Sequence, residues 1–327
     1  MRTALLAILA LVPLNGPAQE QQKPEQELPP TIQVDVDVVN LLCSVRDKRG
    51  GLIGNLGKED FTVNEDGKQQ QIKYFAKETD LPLTIGLLVD VSGSQANLIE
   101  IEKRAAYDFF SQVLRAKDVA FLMSFGEEAE LLQDYTNSRT ALQRGLDGLR
   151  VSSGVSGLHP GPVPTMSQPR GTVLYDAVYL AATDRLQKEV GRKVIVIITD
   201  GVDQGSRTRI EGAIEAAQKA DAIVYSIYYV DPSAYYRGGY MIGGFSDSAL
   251  KRMSEDTGGR LFKVDKKHPL SSIFTELQEE MRSQYALGYT PINGTKDGSF
   301  RRVEVRTRDK NLKVQARKGY YAVKSAG

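Results

Sequence analysis

The chain has 327 residues, with 42 lysines and arginines against 41 aspartates and glutamates and a net charge of +1. That balance excludes the basic footprint of a nucleic-acid-binding protein. A single cysteine, Cys43, excludes an intramolecular disulfide, and two histidines far apart in sequence, His159 and His268, exclude a histidine-rich zinc site.

Residues 1–18 read as a signal peptide. Arg2 gives a short positive start, and the apolar run from Ala4 to Leu14 is too short to span a bilayer. Gly16-Pro17-Ala18 then offers small residues for cleavage before Gln19. An uncleaved anchor is the other reading of this segment. No later stretch is long and apolar enough to span a membrane. Residues 19–30, rich in Gln, Glu and Pro, cannot bury enough apolar surface to fold and read as a disordered linker. The remaining length of about 300 residues suits two domains.

From Thr31 the pattern has period two, with Ile32, Val34, Val36 and Val38 on one face. The parity then changes, and Leu41, Cys43 and Val45 take the inward positions, so a bulge or bend is expected between the two halves. Cys43 on this strand reads as a small core residue, not a reactive thiol. Arg49-Gly50-Gly51 and Glu65-Asp66-Gly67 are turn signals, and Phe61-Thr62-Val63 and Ile72-Lys73-Tyr74-Phe75 are further strands. Residues 31–80 are therefore the first part of a small all-β domain.

Apolar strands and helices alternate over 83–283. Strands are expected at 83–90, 118–125, 193–199, 222–230 and 260–265, with an edge strand at 128–133. Helices are expected at 97–115, 138–149, 173–190, 208–220, 246–256 and 269–283. In the first helix Ile101, Ala105, Phe109 and Val113 recur every four residues and predict one buried stripe. Nearly continuous apolar runs at 193–199 and 222–230 fit strands covered on both faces. The fold class is a doubly wound, mostly parallel α/β sheet. Period two returns over 284–323, in Tyr285, Leu287 and Tyr289, then Val303 and Val305, then Leu312, Val314 and Ala316. These strands are too few to stand alone. They are expected to pair with 31–80, so that the α/β domain is an insertion in one split β domain.

The strand 83–90 ends in Asp90-Val91-Ser92-Gly93-Ser94, one carboxylate and two hydroxyls. All are oxygen donors suited to a hard divalent cation. Asp200, within Thr199-Asp200-Gly201, ends the strand 193–199, and Thr172 follows Gly171 at the start of the next helix. In an open α/β sheet such loops converge where the strand order reverses. Asp90, Ser92, Ser94, Thr172 and Asp200 are thus candidate metal ligands, with Mg2+ expected and Mn2+ plausible. Three uncharged hydroxyls leave the ion under-neutralised, which invites a carboxylate from an Asp or Glu of a protein partner. No histidine, cysteine or lysine constellation supplies a base or nucleophile, so no enzyme activity is expected. Asp90 to Ser94 could instead cap the following helix. Asp203 and Ser206 could orient the metal ligands or cap the helix after them, and Asp176 reads as a favourable first-turn carboxylate.

Asp90-Val91-Ser92-Gly93-Ser94, Thr172 within Arg170-Gly171-Thr172-Val173-Leu174-Tyr175-Asp176-Ala177, and Thr199-Asp200-Gly201 resemble the metal-ion-dependent adhesion site of von Willebrand factor type A domains. The resemblance covers about residues 83–283, and all five positions match. It implies direct binding of the ion by Ser92 and Ser94, by Thr172 in some states, and contacts through water from the aspartates. The flanks, Asp60-Phe61 with Glu65-Asp66-Gly67, Tyr285-Ala286-Leu287-Gly288-Tyr289 and Arg317-Lys318-Gly319-Tyr320, resemble the exported bacterial proteins with a VWFA-related domain. In some relatives the helix equivalent to 269–283 slides when ligand binds.

Two loops are expected to set specificity, 151–169 and 231–247. The second carries Tyr235, Tyr236, Arg237, Tyr240, Met241 and Phe245 among glycines, residue types common at binding hot spots. Folding of that loop over its own apolar surface is the other reading. Asn293-Gly294-Thr295 matches a glycosylation sequon but reads as a turn. The expected protein is an exported adhesion or scaffolding module, periplasmic or secreted. Its rivals are a metal-assisted hydrolase using Asp90 and Asp200, and a metal-free structural module.

Overall fold

The computed structural model describes residues 38–78, 81–152, 171–237, 240–241 and 246–323. The expected signal peptide, the linker, the strand half 31–37, nearly all of the 151–169 loop and Phe245 lie outside the described residues.

Four strands precede the α/β region: β1 (Val39–Arg46), β2 (Phe61–Glu65), β3 (Lys68–Gln70) and β4 (Ile72–Glu78). Leu41, Cys43 and Val45 of β1 are fully buried. Burial alone pushes the Cys43 thiol up to about 12, which leaves it unreactive. Asp66 and Gly67 join β2 to β3 with φ of 47° and 79°, both left-handed, as a two-residue hairpin turn requires.

The α/β region then runs β5 (Leu83–Asp90), α1 (Ile99–Val113), β6 (Val119–Phe125), β7 (Ala129–Thr136), α2 (Arg139–Asp147), α3 (Leu174–Leu180), β8 (Arg192–Thr199), α4 (Ile210–Lys219) and β9 (Ala222–Tyr228). It continues with a short hairpin, β10 (Tyr236–Arg237) and β11 (Tyr240–Met241), then α5 (Ser248–Thr257), β12 (Leu261–Lys263) and α6 (Leu270–Arg282). A π-helical turn, Ala181–Leu186, extends α3. The sheet order is β12-β9-β8-β5-β6-β7, parallel except for the antiparallel edge strand β7. One face packs on α1, α2 and α6 through Leu87, Phe109, Leu142 and Leu277. The other packs on α3, α4 and α5 through Leu88, Val178, Ala213 and Leu250. Burial on both faces explains the continuous apolar strands.

One expected helix face is corrected. Ile101 is 51% exposed, while Ile99, Glu102, Ala106, Phe109, Phe110 and Val113 are buried. A strict four-residue spacing drifts about 40° per step on a helix, so Ile101 lies far around from Val113.

Four strands follow: β13 (Gln284–Tyr289), β14 (Phe300–Thr307), β15 (Lys313–Ala316) and β16 (Gly319–Tyr321). β13 lies between β1 and β4, and β15 covers the other side of β1, all antiparallel. A second sheet has the order β16-β14-β2-β3, with Val305 opposite Val63. Strands from before and after the α/β region therefore share both sheets and one core of Leu41, Cys43, Phe61, Val63, Tyr285, Leu287 and Val303. The flanking motifs meet there, because Tyr289 and Tyr320 donate their phenol hydroxyls to Oε2 of buried Glu65 at 2.7 and 3.0 Å. Asn293 accepts from Thr295 N in a local turn.

Candidate metal centre

β5 and β8 are parallel neighbours at the point where the strand order reverses, so Asp90 and Asp200 leave the sheet side by side. Both are buried, with 0% and 1% exposure. A continuous set of hydrogen bonds joins the two loops. Ser92 N donates to Asp90 Oδ1 at 2.9 Å, the Ser92 and Ser94 hydroxyls are 3.0 Å apart, and Ser94 Oγ donates to Asp200 Oδ2 at 2.5 Å. Thr199 Oγ1 donates to Asp90 Oδ2 at 2.5 Å, and Val202 N to Asp200 Oδ1 at 3.1 Å.

These bonds link four of the five expected ligands. Thr172 is buried and joins through its backbone. Its carbonyl accepts from Gln204 N at 3.0 Å, in the loop after Asp200. Gly171 is required for that approach, since a Cβ there would lie 1.6 Å from the Gln204 carbonyl oxygen. The adjacent Val173 N donates to Gly126 O at 2.9 Å, which sets the segment beside the end of β6.

The capping alternative for Asp90 to Ser94 does not hold. A 3-10 turn, Gly93–Gln95, intervenes, and α1 starts after Leu98 with no side-chain cap. Asp203 and Ser206 do not cap α4 either. Ser206 Oγ donates to Asp203 Oδ1 at 2.6 Å and accepts from Tyr175 N and Asp176 N at 3.1 Å each, while Tyr175 N also donates to Asp203 Oδ1 at 3.2 Å. They close the first turn of α3, the helix that follows Thr172. Asp176 returns the contact by accepting from Arg207 N and Thr208 N at 2.9 and 2.8 Å.

The electrostatics fit a cation. Burial first, and the Asp200 charge second, raise Asp90 to about 7. Glu102 on α1 is buried with neither oxygen hydrogen-bonded among the described residues, and burial followed by the charges of Asp90 and Asp200 holds it well above the carboxylate range. Among the described residues no lysine or arginine is hydrogen-bonded to Asp90, Asp200 or Glu102. Glu102 escapes the four-residue reading of α1. The signal for it is an acid spaced from Ile99, Ala106, Phe109 and Val113 at helical intervals.

The 231–247 loop also reaches this edge. Tyr235, in a 3-10 turn (Pro232–Tyr235), donates its phenol hydroxyl to Asp200 Oδ2 at 2.5 Å. Tyr236 and Arg237 pair with Met241 and Tyr240 as a backbone hairpin.

The fold is thus a doubly wound α/β domain with two buried carboxylates and two serine hydroxyls at its switch point. The family profile of the von Willebrand factor type A domain matches residues 85–204. The chain carries a von Willebrand factor type A domain. An uncharacterized protein of Borreliella burgdorferi is 23% identical over 186 residues, 54% of this chain and 50% of its own length. The chain thus spans about half the length of the curated relative it matches. Among solved structures, an aerotolerance-related membrane protein from Bacteroides fragilis aligns over 61% of this chain and 98% of its own, with 17% identity and a TM-score of 0.45. Proximal thread matrix protein 1 from the mussel byssus, with a zinc-occupied MIDAS motif, aligns over 66% and 49%, with 15% identity and a TM-score of 0.46. No helix among the described residues is long and apolar enough to cross a membrane.

Proposed function

We propose that this is an exported, non-enzymatic adhesion or scaffolding module whose α/β domain captures an acidic group of a protein partner through a divalent cation. The observation that carries this reading is the buried pair Asp90 and Asp200, bridged by Ser92 and Ser94 and bonded to no basic side chain among the described residues. Asp90, Ser92, Ser94, Thr172 and Asp200 would hold the ion. Oxygen donors alone suit Mg2+, with Mn2+ as the second choice. The ion, when bound, supplies a Lewis-acidic position for an Asp or Glu carboxylate of the partner.

The residues around it are hydroxyls and carboxylates bonded to one another, with no histidine, cysteine or lysine bonded to Asp90 or Asp200 among the described residues. The described histidine, His268, pairs with Asp265 in the turn before α6. This favours binding over a hydrolase. The 231–247 loop, with Tyr235, Tyr236, Arg237, Tyr240, Met241 and Phe245, would choose the partner. Export rests on the targeting character of residues 1–18. Residues 31–80 and 284–323 would form one β domain around 83–283.

The test is calorimetric titration with Mg2+ and Mn2+, followed by pull-down from the cell envelope with Mg2+ and then with chelator. Wild type should bind the ion and capture a partner that chelator releases. Asp90→Ala and Thr172→Ala should retain the fold and lose capture. Capture that persists in EDTA would remove the cation from the mechanism.

A further inference from the structure

We propose that Tyr235 is a built-in competitor for the cation, a phenol that holds Asp200 until the ion arrives and is then expelled. The proposal rests on the cation reading of the site. Asp200 Oδ2 receives two hydroxyl protons, from Ser94 Oγ and Tyr235 Oη, each at 2.5 Å. Both protons point at the oxygen that an ion at this edge would draw on. A cation beside that oxygen repels the O–H dipoles aimed at it. Ser94 can rotate its hydrogen and offer a lone pair within the loop it already occupies. Tyr235 comes from another segment, and its rigid ring can withdraw the hydroxyl only by moving.

The turn that carries Tyr235 is docked on the metal loop itself. Gln95 Nε2 donates to Tyr229 O at 3.3 Å, and Asn97 Nδ2 donates to Asp231 Oδ2 at 2.7 Å. The other oxygen of Asp231 accepts from Ser233 N and Ser233 Oγ at 2.9 and 2.6 Å, which winds the turn. The chain leads from Tyr235 straight into the hairpin of β10 and β11. Loading of the ion is thereby coupled to the loop expected to face the partner. The contact raises the apparent dissociation constant for the ion by the inverse of the fraction of open turn.

Calorimetric titration of the full chain with Mn2+ and with Mg2+ tests this in wild type, Tyr235→Phe, Asn97→Ala and Asp200→Asn. Tyr235→Phe keeps the ring and removes one charge-assisted hydrogen bond, so the ion should bind roughly tenfold more tightly. Asn97→Ala loosens the docked turn without touching Asp200 and should tighten binding roughly two- to threefold. Asp200→Asn should abolish binding. In protein labelled with 3-fluorotyrosine, the fluorine resonance missing from Tyr235→Phe should shift on saturation with Mg2+.

Binding lost in Asp200→Asn but unchanged or weakened in Tyr235→Phe would overturn the competitor while leaving the cation site standing. Binding that survives Asp200→Asn, or no binding in any protein, would overturn both readings. Binding in Tyr235→Phe alone would support the competitor in its strongest form.

Discussion

The two edges of the central sheet treat buried acids in opposite ways. At the amino edge, Asp118 precedes β6 with no exposed side-chain surface, and it accepts from Leu83 N at 2.9 Å, from Arg115 N at 3.0 Å and from the Arg282 guanidinium. Glu280 near the end of α6 is equally buried. Its Oε2 takes Arg46 of β1 at 2.6 Å and Arg260 at 2.7 Å, and its Oε1 takes Ser44 at 3.1 Å. At the carboxyl edge, Asp90, Asp200 and Glu102 are as deeply buried; among the described residues Asp90 and Asp200 bond only to hydroxyls and backbone amides, and Glu102 has no hydrogen-bond partner. A buried carboxylate is therefore no signature of a site by itself. What separates the two edges is whether the fold also supplies the counter-charge.

The comparison breaks most sharply at Glu280. Glu280→Gln removes the buried carboxylate that Arg46 and Arg260 share and leaves them only the partly exposed Glu276, and it should cost about 3 kcal/mol in denaturant unfolding. The same change should leave cation affinity intact, since it acts at the far edge. It should also free α6 from β1, which hydrogen exchange across 269–290 would register. A loss below about 1 kcal/mol would mean that solvent already screens the network.

The opposite sign is expected at Asp90. Its folded value of about 7 lies above the ordinary aspartate value of about 3.9. Between those two pH values the unfolded chain has released a proton that the folded chain keeps. Stability of the cation-free protein should therefore fall as pH rises from about 4 to about 7, by on the order of 2–4 kcal/mol, and level off above. Asp90→Asn should flatten that slope, raise stability at pH 8 by a similar amount, and remove any gain from Mg2+. Thermal melts across pH, with and without Mg2+, read all three. An unaltered slope in Asp90→Asn would assign the titration to another group.

Much of this contrast was legible from residues alone. The unbroken apolar run Leu83 to Asp90 gave strand bounds that agree with β5, because burial on both faces leaves no alternation to misread. The approach of Asp90 to Asp200 followed from parallel strands and one reversal of strand order. What escaped depended on tertiary approach. Asp203 and Ser206 cap α3 and not α4, because the Gly171–Gln204 contact brings that helix start to them. Tyr235 was expected to face a partner; it bonds to Asp200, beside the Asn97–Asp231 contact, and neither pairing has a periodicity to reveal it. Arg46 meeting Glu280 needed β1 to lie against a helix more than 200 positions later, as the 234-residue separation of that bond shows.

The smallest expected effect is at Glu102, and it is the most discriminating for the charge argument. Burial first, and then the two neighbouring carboxylates, raise this acid well above the ordinary carboxylate range and favour its neutral form. Glutamine is then nearly its isostere in both size and charge. Glu102→Gln should change the stability of the cation-free protein by no more than about 0.5 kcal/mol at pH 7, small for a substitution at a fully buried acid. With the ion in place the balance differs, because a nearby cation lowers the cost of ionising Glu102 and the resulting charge strengthens the ion's hold. Calorimetry should then show Mg2+ binding weakened several-fold in the variant, more at pH 8 than at pH 6. A stability loss of several kcal/mol without the ion would instead mean that Glu102 is ionised and already compensated, which would erase the distinction between the two edges of the sheet.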